Sequence, residues 1–560
     1  MEQLSMVHPA PASGGAPVAG EGIALRTFRS GEEQAWADII NATDLGGDYG
    51  VAKVRETLTG KSRFDPEGLF LACDSATGRP LATACAWRSF VFGRSRPTLH
   101  MVAARPEASG RGLGKLVCRA VLDYFARRGE QEVVLTTDDH RLPAIATYLQ
   151  VGLRPMRYVR GEDHAGRWKA ILETLSGRHG PGEFSGPGRP VKVAVLGLRR
   201  GADIAGYAQG HAAGEVTAAC DRDEDRRDEF RARFEGAEVV GDYESLLAGD
   251  VEAVIVANEC PDHAPAAMAA LAVGKDVLSE VTAFHTPAEG VALVEAVEAG
   301  TRSYMLAENC LYSNAMVELA YQAAEGVLGD LQYAEGDYVH DCRSLMAPDG
   351  RPHWRGWFPP LLYSTHPLGP ILRAAGARPL RVVGMHTGAR LAGTAGGIDM
   401  GAMLIAMTGG AVVRIAAALA VNREPASLWV CYYGTRASLE TDRWNDKVHL
   451  YDGRATQSAG PVSFRPTGRG KGPHTTAGHF GADPRMMECW IESLANGLTS
   501  PINVYEAADM TLPGILAHRS SLEAARAIEV PDFRDRASCD AFRGDRARPD
   551  PADPMRMIDS

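Results

Sequence analysis

A chain of 560 residues, 45% hydrophobic and 23% charged, has the length for two to four domains with full cores and excludes a fibrous or wholly disordered polymer. Its net charge of −11 argues against nucleic acid as a partner, because binding a phosphate backbone selects a basic surface excess. Ten cysteines stand singly without a C-x-x-C pair, as in a reduced cytoplasmic protein, and no apolar run reaches membrane-spanning length.

Residues 1–21 are rich in Pro, Ala and Gly, have neither the basic start nor the apolar stretch of a signal peptide, and are expected to be disordered. The run from Thr98 to Ala104 reads as a strand feeding the glycine loop Gly110-Arg111-Gly112-Leu113-Gly114-Lys115. Behind it Leu113, Leu116, Val117, Ala120, Val121, Tyr124 and Phe125 recur at helical spacing. Strand, glycine loop and helix make a phosphate cradle, since backbone N–H groups approach phosphate oxygens only where no Cβ intervenes and the helix adds its positive end. A second strand over 132–137 leads to a helix over 142–149 that stops at Gly152.

This arrangement resembles the GNAT acyltransferase family over residues 22–175. Gly112 and Gly114 are in register with the family's acyl-CoA loop; Ser109 replaces its basic first residue, with Arg111 and Lys115 to compensate. The rest of the family pattern is met by Leu135, Thr137, Ala144, Tyr148, Gly152, Leu153 and Pro155. The resemblance implies that Val102, Ala103, Gly110, Arg111, Gly112, Gly114 and Lys115 hold acetyl-CoA, that an amine attacks the thioester, and that Tyr148 protonates the leaving thiolate, a phenol being close to a thiol in pKa. The alternative for Tyr148 is plain packing on its helix.

Residues 176–190 are too rich in Gly and Pro for helix or strand and mark a linker. From Val191 a strand, the glycine turn Gly197-Leu198-Arg199-Arg200-Gly201, a helix and a second strand ending at Asp221-Arg222 form a βαβ unit. Asp221 follows Gly197 by 24 residues, about where a dinucleotide fold places an acid on the ribose hydroxyls; adjacent Arg222 leaves NADP open. Arg199 and Ala202 occupy the usual second and third glycine positions, so the βαβ context carries the reading. The apolar run 251–258 is a buried parallel strand ending at Asn258, followed by Pro261-Asp262-His263 and by Gly274-Lys275-Asp276-Val277-Leu278-Ser279-Glu280.

That succession resembles the Gfo/Idh/MocA oxidoreductase family, implying a Rossmann domain at 191–305 and, at 306–533, an α+β substrate domain with an open, largely antiparallel sheet. The expected fold class is therefore α/β throughout its first two domains, and the Arg-, Asp- and Pro-rich residues 534–560 are expected to be a disordered tail. Cofactor contacts fall to Gly197, Arg199, Arg200, Gly201, Asp221, Arg222, Asn258, His263 and Glu280. Glu280-Val281-Thr282 stands where most members have Glu-Lys-Pro, and Leu362 stands where they have an Asp before His366. One branch, the NAD-dependent α-N-acetylgalactosaminidases, has Glu-Val-Pro, and the likeness extends through Met305–Asn309, Gly336–Asp341, Trp354-Arg355, Tyr363–Pro370, Gly478–Asp483 and Val504–Ala508. By this resemblance His366 and Tyr338 are acid/base candidates, and Glu308 and Tyr363 position substrate or base. His479 with Asp483 offers only two metal ligands, so no metal is expected.

The leading expectation is a cytoplasmic bifunctional enzyme, an acetyl-CoA-dependent N-acyltransferase joined to an NAD-dependent oxidoreductase acting on an amino-sugar-like or polyol substrate. One alternative makes the second half a redox-neutral glycosidase or lyase that oxidises, eliminates, hydrates and reduces. Another leaves one half as a cofactor-binding scaffold. Small-molecule amine and sugar-like substrates are the expected partners, with no membrane and a homo-oligomeric assembly.

Overall fold

The structure is a computed structural model that describes residues 3–559 apart from 12–13, 16, 44, 46, 176–182, 348–352, 393–396, 454–459 and 467–476. The chain forms two compact units, one of Met1–Pro190 with Ala324–Gly326 and Glu492–Thr499, the other of Val191–Ala323, Val327–Ile491 and Ser500–Ser560. Part of the expected linker 176–190 lies outside the described residues; 183–190 carry no helix or strand.

The first unit is built on a seven-stranded sheet from β1 (Leu4–Pro9), β2 (Ile23–Thr27), β3 (Leu69–Asp74), β4 (Pro80–Val91), β5 (Arg94–Ala104), β6 (Glu132–Thr137) and β7 (Arg154–Pro155), in the order β2-β3-β4-β5-β6-β1-β7. Alternation sorts its side chains onto two faces. Phe70, Ala72, Ala86 and Leu99 pack on α3 (Leu113–Ala126), whereas Leu69, Leu71, Cys85 and Trp87 pack with Trp36, Ile39 and Ile40 from α1 (Glu33–Asn41), α2 being the short helix Val51–Val54. The expectation of a disordered N-terminus does not hold for β1, which lies between β6 and β7 with Leu4 and Met6 fully buried. The strand is short, but all six residues pair with β6 and Met6 and Val7 also pair with β7, which fixes its backbone in the sheet.

The second unit holds a six-stranded, all-parallel sheet, β10 (Val191–Leu196), β11 (Gly214–Cys220), β12 (Glu238–Val240), β13 (Ala253–Val256), β14 (Asp276–Ser279) and β15 (Tyr304–Leu306), β8 and β9 being the short hairpin Tyr158–Val159 and Glu162–Asp163 of the first unit. The order β12-β11-β10-β13-β14-β15 reverses beside β10, the switch point at which such sheets open a crevice. A nine-stranded sheet follows, and its strands pair antiparallel except for Leu331–Val339 against Val412–Ala418. Residues 534–560 were expected to be disordered; instead Arg536–Phe542 is a helix and Ala547–Asp550 pairs with Asp553–Asp559. The ion pairs Arg519–Asp545 and Arg543–Glu295 anchor this segment, so charge pairing replaces the apolar periodicity that the sequence lacks there. All ten cysteines are free, and among the described residues no helix is long and apolar enough to cross a membrane.

Candidate active sites

In the first unit β5 pairs with β6, in parallel, at Thr98 and Val134. A bulge against β4 and the left-handed Met101 (φ 51°) turn the strand as it passes Val102 and Ala103. At the end of β5 the loop carries Gly110 (φ 77°) and Gly112 (φ 74°), a backbone that residues with a Cβ rarely adopt. Gly112 is the N-cap of α3 and supplies no capping side chain, so the first N–H groups of the helix face outward unpartnered. A cavity of 610 Å³ opens beside them, lined in part by Arg111, Gly112, Lys115 and Arg119. Free amides, a helix N-terminus and three cations fit the diphosphate of an acyl-CoA. Tyr148, on the helix Leu142–Gln150, is buried on the α3 face, and burial raises its phenol pKa.

In the second unit Gly197 (φ 87°) is required twice over, because a Cβ there would lie 2.4 Å from the Ala257 carbonyl oxygen. The Asp221 carboxylate accepts hydrogen bonds from the N–H groups of Leu198 at 2.7 Å and Asp223 at 2.9 Å, which ties the acid to the glycine turn. Arg199 is the N-cap residue of the helix Arg200–Gln209. Open amides at the switch point beside a fixed acid fit a dinucleotide. Three other residues expected at the cofactor also have structural partners. Gly201 makes room for the close packing of helix on strand, its Cβ position being 2.7 Å from Val195. His263 is buried with its two ring nitrogens each 3.2 Å from a carbonyl, of Thr282 and Asn258, and so joins two loops. Arg200 donates to Glu280 at 3.1 Å and, through both terminal nitrogens, to Asp483 at 2.9 and 2.6 Å. Asn309 and His479 complete this network on Asp483, each at 2.8 Å. Burial by itself raises the Asp483 carboxyl pKa, but the His479 and Arg200 bonds outweigh it and hold the group well below the usual range. Arg222 sits beside Asp221, as expected from sequence, and Asn258 donates to the Asp262 carbonyl at 3.5 Å.

Four elements bring the other expected residues together. Glu308, just past β15, has no exposed surface; its Oε1 accepts from the Cys310 N–H at 3.2 Å and meets His366 Nδ1 at 2.6 Å. Its Oε2 is buried without a hydrogen bond. His366 opens the helix Thr365–Ala375, where Pro367 falls in the first turn, a position that tolerates its missing N–H. The Tyr338 ring lies 4.7 Å and the Tyr363 ring 5.0 Å from the imidazole, and burial raises both phenol pKa values. Such a cluster can move a proton at Nε2 while the carboxylate fixes the tautomer at Nδ1. Glu308, Cys310 and His366 also place one ligand atom each within 4.8 Å of one another, although two of these are joined in the hydrogen bond just described.

Sequence reasoning gave no role to Arg355, whose guanidinium lies 4.3 Å from the Trp354 ring centroid and 6.0 Å from that of Tyr363. Nor did it assign His340, 3.0 Å from the Tyr338 hydroxyl, or the pairing of Asp483 with Arg200. Tyr-x-His on one strand face was a usable signal for His340. The Arg200–Asp483 pair spans 283 positions and leaves no local trace.

The acetyltransferase (GNAT) family model matches residues 36–153, and the oxidoreductase family model with an NAD-binding Rossmann fold matches 191–307. A glycosyl hydrolase family 109 protein of Saccharopolyspora erythraea is 28% identical, over 68% of this chain and 88% of that protein. An alpha-N-acetylgalactosaminidase of Bacteroides fragilis is 26% identical, over 51% of this chain and 75% of that protein. A mycothiol acetyltransferase of Streptomyces bingchenggensis is 34% identical over 24% of this chain, which spans 44% of that protein. Levoglucosan dehydrogenase, solved with NADH and levoglucosan, shares the fold with a TM-score of 0.54 at 18% identity, over 61% of this chain and 100% of the other. The chain thus joins a GNAT acetyltransferase domain to an NAD-dependent oxidoreductase domain of the Gfo/Idh/MocA family.

Proposed function

We propose that the chain is a bifunctional enzyme in which an acetyl-CoA-dependent N-acyltransferase and an NAD-dependent sugar-acting enzyme serve amino-sugar-like substrates. The observation that carries the second half is the convergence of Glu308, Tyr338, Tyr363 and His366 on one buried imidazole. Bound NAD would supply the hydride acceptor and donor. His366 takes the proton of the sugar hydroxyl or of the adjacent carbon, Glu308 holds the imidazole in register, Tyr338 and Tyr363 wall the ring, and Arg355 orients a polar substituent. Asp221 and the amides around Gly197 hold the dinucleotide.

A redox-neutral cycle is favoured over net oxidation by one feature. Val281, where a lysine would relay the proton, is buried and apolar. The two relatives named for glycoside hydrolysis agree with this reading. Incubation with an aryl α-N-acetylgalactosaminide in deuterated water tests it. Aryl alcohol release with deuterium next to the oxidised carbon and no net NADH supports the cycle; NADH accumulation without deuterium establishes a plain dehydrogenase.

The nine-stranded sheet leaves Met385, Leu404, Val412 and Tyr433 exposed on its strands, and a second copy covering this face is the assembly that the exposure supports. A cytoplasmic setting accords with ten unpaired cysteines.

A further inference from the structure

The cycle proposed for the second half needs the dinucleotide and the sugar in place together, and one contact joins the two sites. Glu259 opens the turn Cys260–Asp262 just past β13, at the sheet edge where the Ala257 carbonyl closes on Gly197. Its carboxylate has Arg199 of the glycine turn and Arg226 as neighbouring cations on the dinucleotide side, and Arg355 on the substrate side. Arg226 also stands 3.8 Å from Asp221. His353 faces Glu259: its Nε2 is 3.3 Å from the carboxylate, and its Nδ1 accepts a hydrogen bond from the Arg355 N–H at 3.4 Å. His353 thereby caps the turn Trp354–Gly356, whose Trp354 ring lies 5.8 Å from that of Tyr363. Tyr363 in turn lies 5.0 Å from the His366 ring. Burial and the cations Arg355, Arg199 and Arg226 lower the His353 pKa to about 4, so the ring is neutral and carries one proton. Because Nδ1 accepts, that proton is on Nε2, the atom facing Glu259.

We infer that Glu259 and His353 are positioning residues that couple the two sites: their contact tightens when the dinucleotide crevice is filled, and it holds Arg355 and Trp354 in place for the sugar. The Glu259 side chain is 57% exposed, and an exposed pair contributes little by itself, so the turn is held loosely while the crevice is open. With a diphosphate in the crevice Arg199 turns to it, and Glu259 is left to His353 and Arg355. The same occupancy keeps water from the pair, which strengthens the attraction. One neutral ring then ties the crevice to the backbone of the arginine that orients the substrate. The coupling is reciprocal, so the sugar tightens dinucleotide binding by the same factor.

This inference rests on the proposed sugar-acting function, and the experiment separates the two. N-acetyl-D-galactosamine is titrated calorimetrically into the full chain with and without NADH, which cannot oxidise the sugar, for the wild type, Glu259→Ala, His353→Asn and His353→Gln. NADH should tighten sugar binding by about tenfold in the wild type, within the usual range for coupled sites. His353→Asn keeps an acceptor for the Arg355 N–H but is too short to reach Glu259, and Glu259→Ala removes the other end of the contact. Both should bind the sugar alone as the wild type does and retain a coupling of no more than about twofold. His353→Gln places an amide donor at Glu259 and should recover part of the effect. A role limited to capping predicts the opposite order, with His353→Asn as good as the wild type. That result, or a wild type that binds NADH and sugar independently, overturns the role of the pair and leaves the function standing. A wild type that binds NADH and not the sugar overturns both.

Discussion

Replacing Asp483 by Asn tests whether the ion network behind the dinucleotide crevice is a single unit. Asp483 is 1% exposed and accepts from Arg200 through two nitrogens, from Asn309 and from His479. Removing one partner of a buried pair costs about 3–5 kcal/mol. Arg200 is 28% exposed at its side chain and keeps Glu280, which places the loss at the low end, about 3 kcal/mol. At about 2 °C per kcal/mol for a unit of this size, the melting transition should fall by roughly 6 °C. Calorimetry identifies that transition as the one NAD shifts upward. Because the folded-state pKa of Asp483 is depressed, its contribution is complete above the unfolded value of about 3.9 and is lost as pH falls through the folded one. The difference between wild type and Asp483→Asn should therefore be constant from pH 8 to about 5 and shrink below about 4. A shift under 1 °C at pH 7, or one that grows on acidification, refutes the network as drawn.

Gly112→Glu puts a side chain and a negative charge at the N-terminus of α3, at a φ of 74°, and should abolish measurable acetyl-CoA binding in a calorimetric titration while NAD binding stays at wild type. Asp221→Ala removes a charged acceptor from the glycine turn, and with the proposed hold of this carboxylate on the ribose NAD affinity should fall by about 1.5–3 kcal/mol and the preference over NADP should narrow. A wild type that prefers NADP would shift the weight to Arg222. His366→Ala should lose most turnover of the second half yet retain NAD, and an unchanged rate would defeat both the oxidoreductase and the glycosidase mechanism.

The chemistry of this chain was more legible than its edges. Asp221 could be placed because a βαβ unit fixes the distance between a glycine turn and the end of the next strand, and the helix and strand periods around it are strong. Glu308, Tyr338, Tyr363 and His366 were found as motif blocks, and their meeting depends on a fold that the order of those blocks already implied. What escaped was long-range and electrostatic. Arg200 was expected among the cofactor contacts, and its pairing with Glu280 and Asp483, carboxylates that the fold brings to its guanidinium, left no trace in the sequence. The C-terminal segment failed every apolar-period test since its order comes from arginine–carboxylate pairs. Leu4 and Met6 were too few to announce a strand, and only their neighbours β6 and β7 make them one.

The place of β1 in its sheet also governs when the first unit can form during synthesis. Leu4–Pro9 hydrogen-bonds to Glu132–Thr137 on one side and to Arg154–Pro155 on the other, so the strand has no partner until more than 120 further residues have been made. Until then a buried-type segment waits in the open with both backbone edges unpaired, and the last closure spans almost the whole unit. Folding of the acetyltransferase half should accordingly be slow for its size and its nascent chain a client for chaperones, with the N-terminal strand docking late.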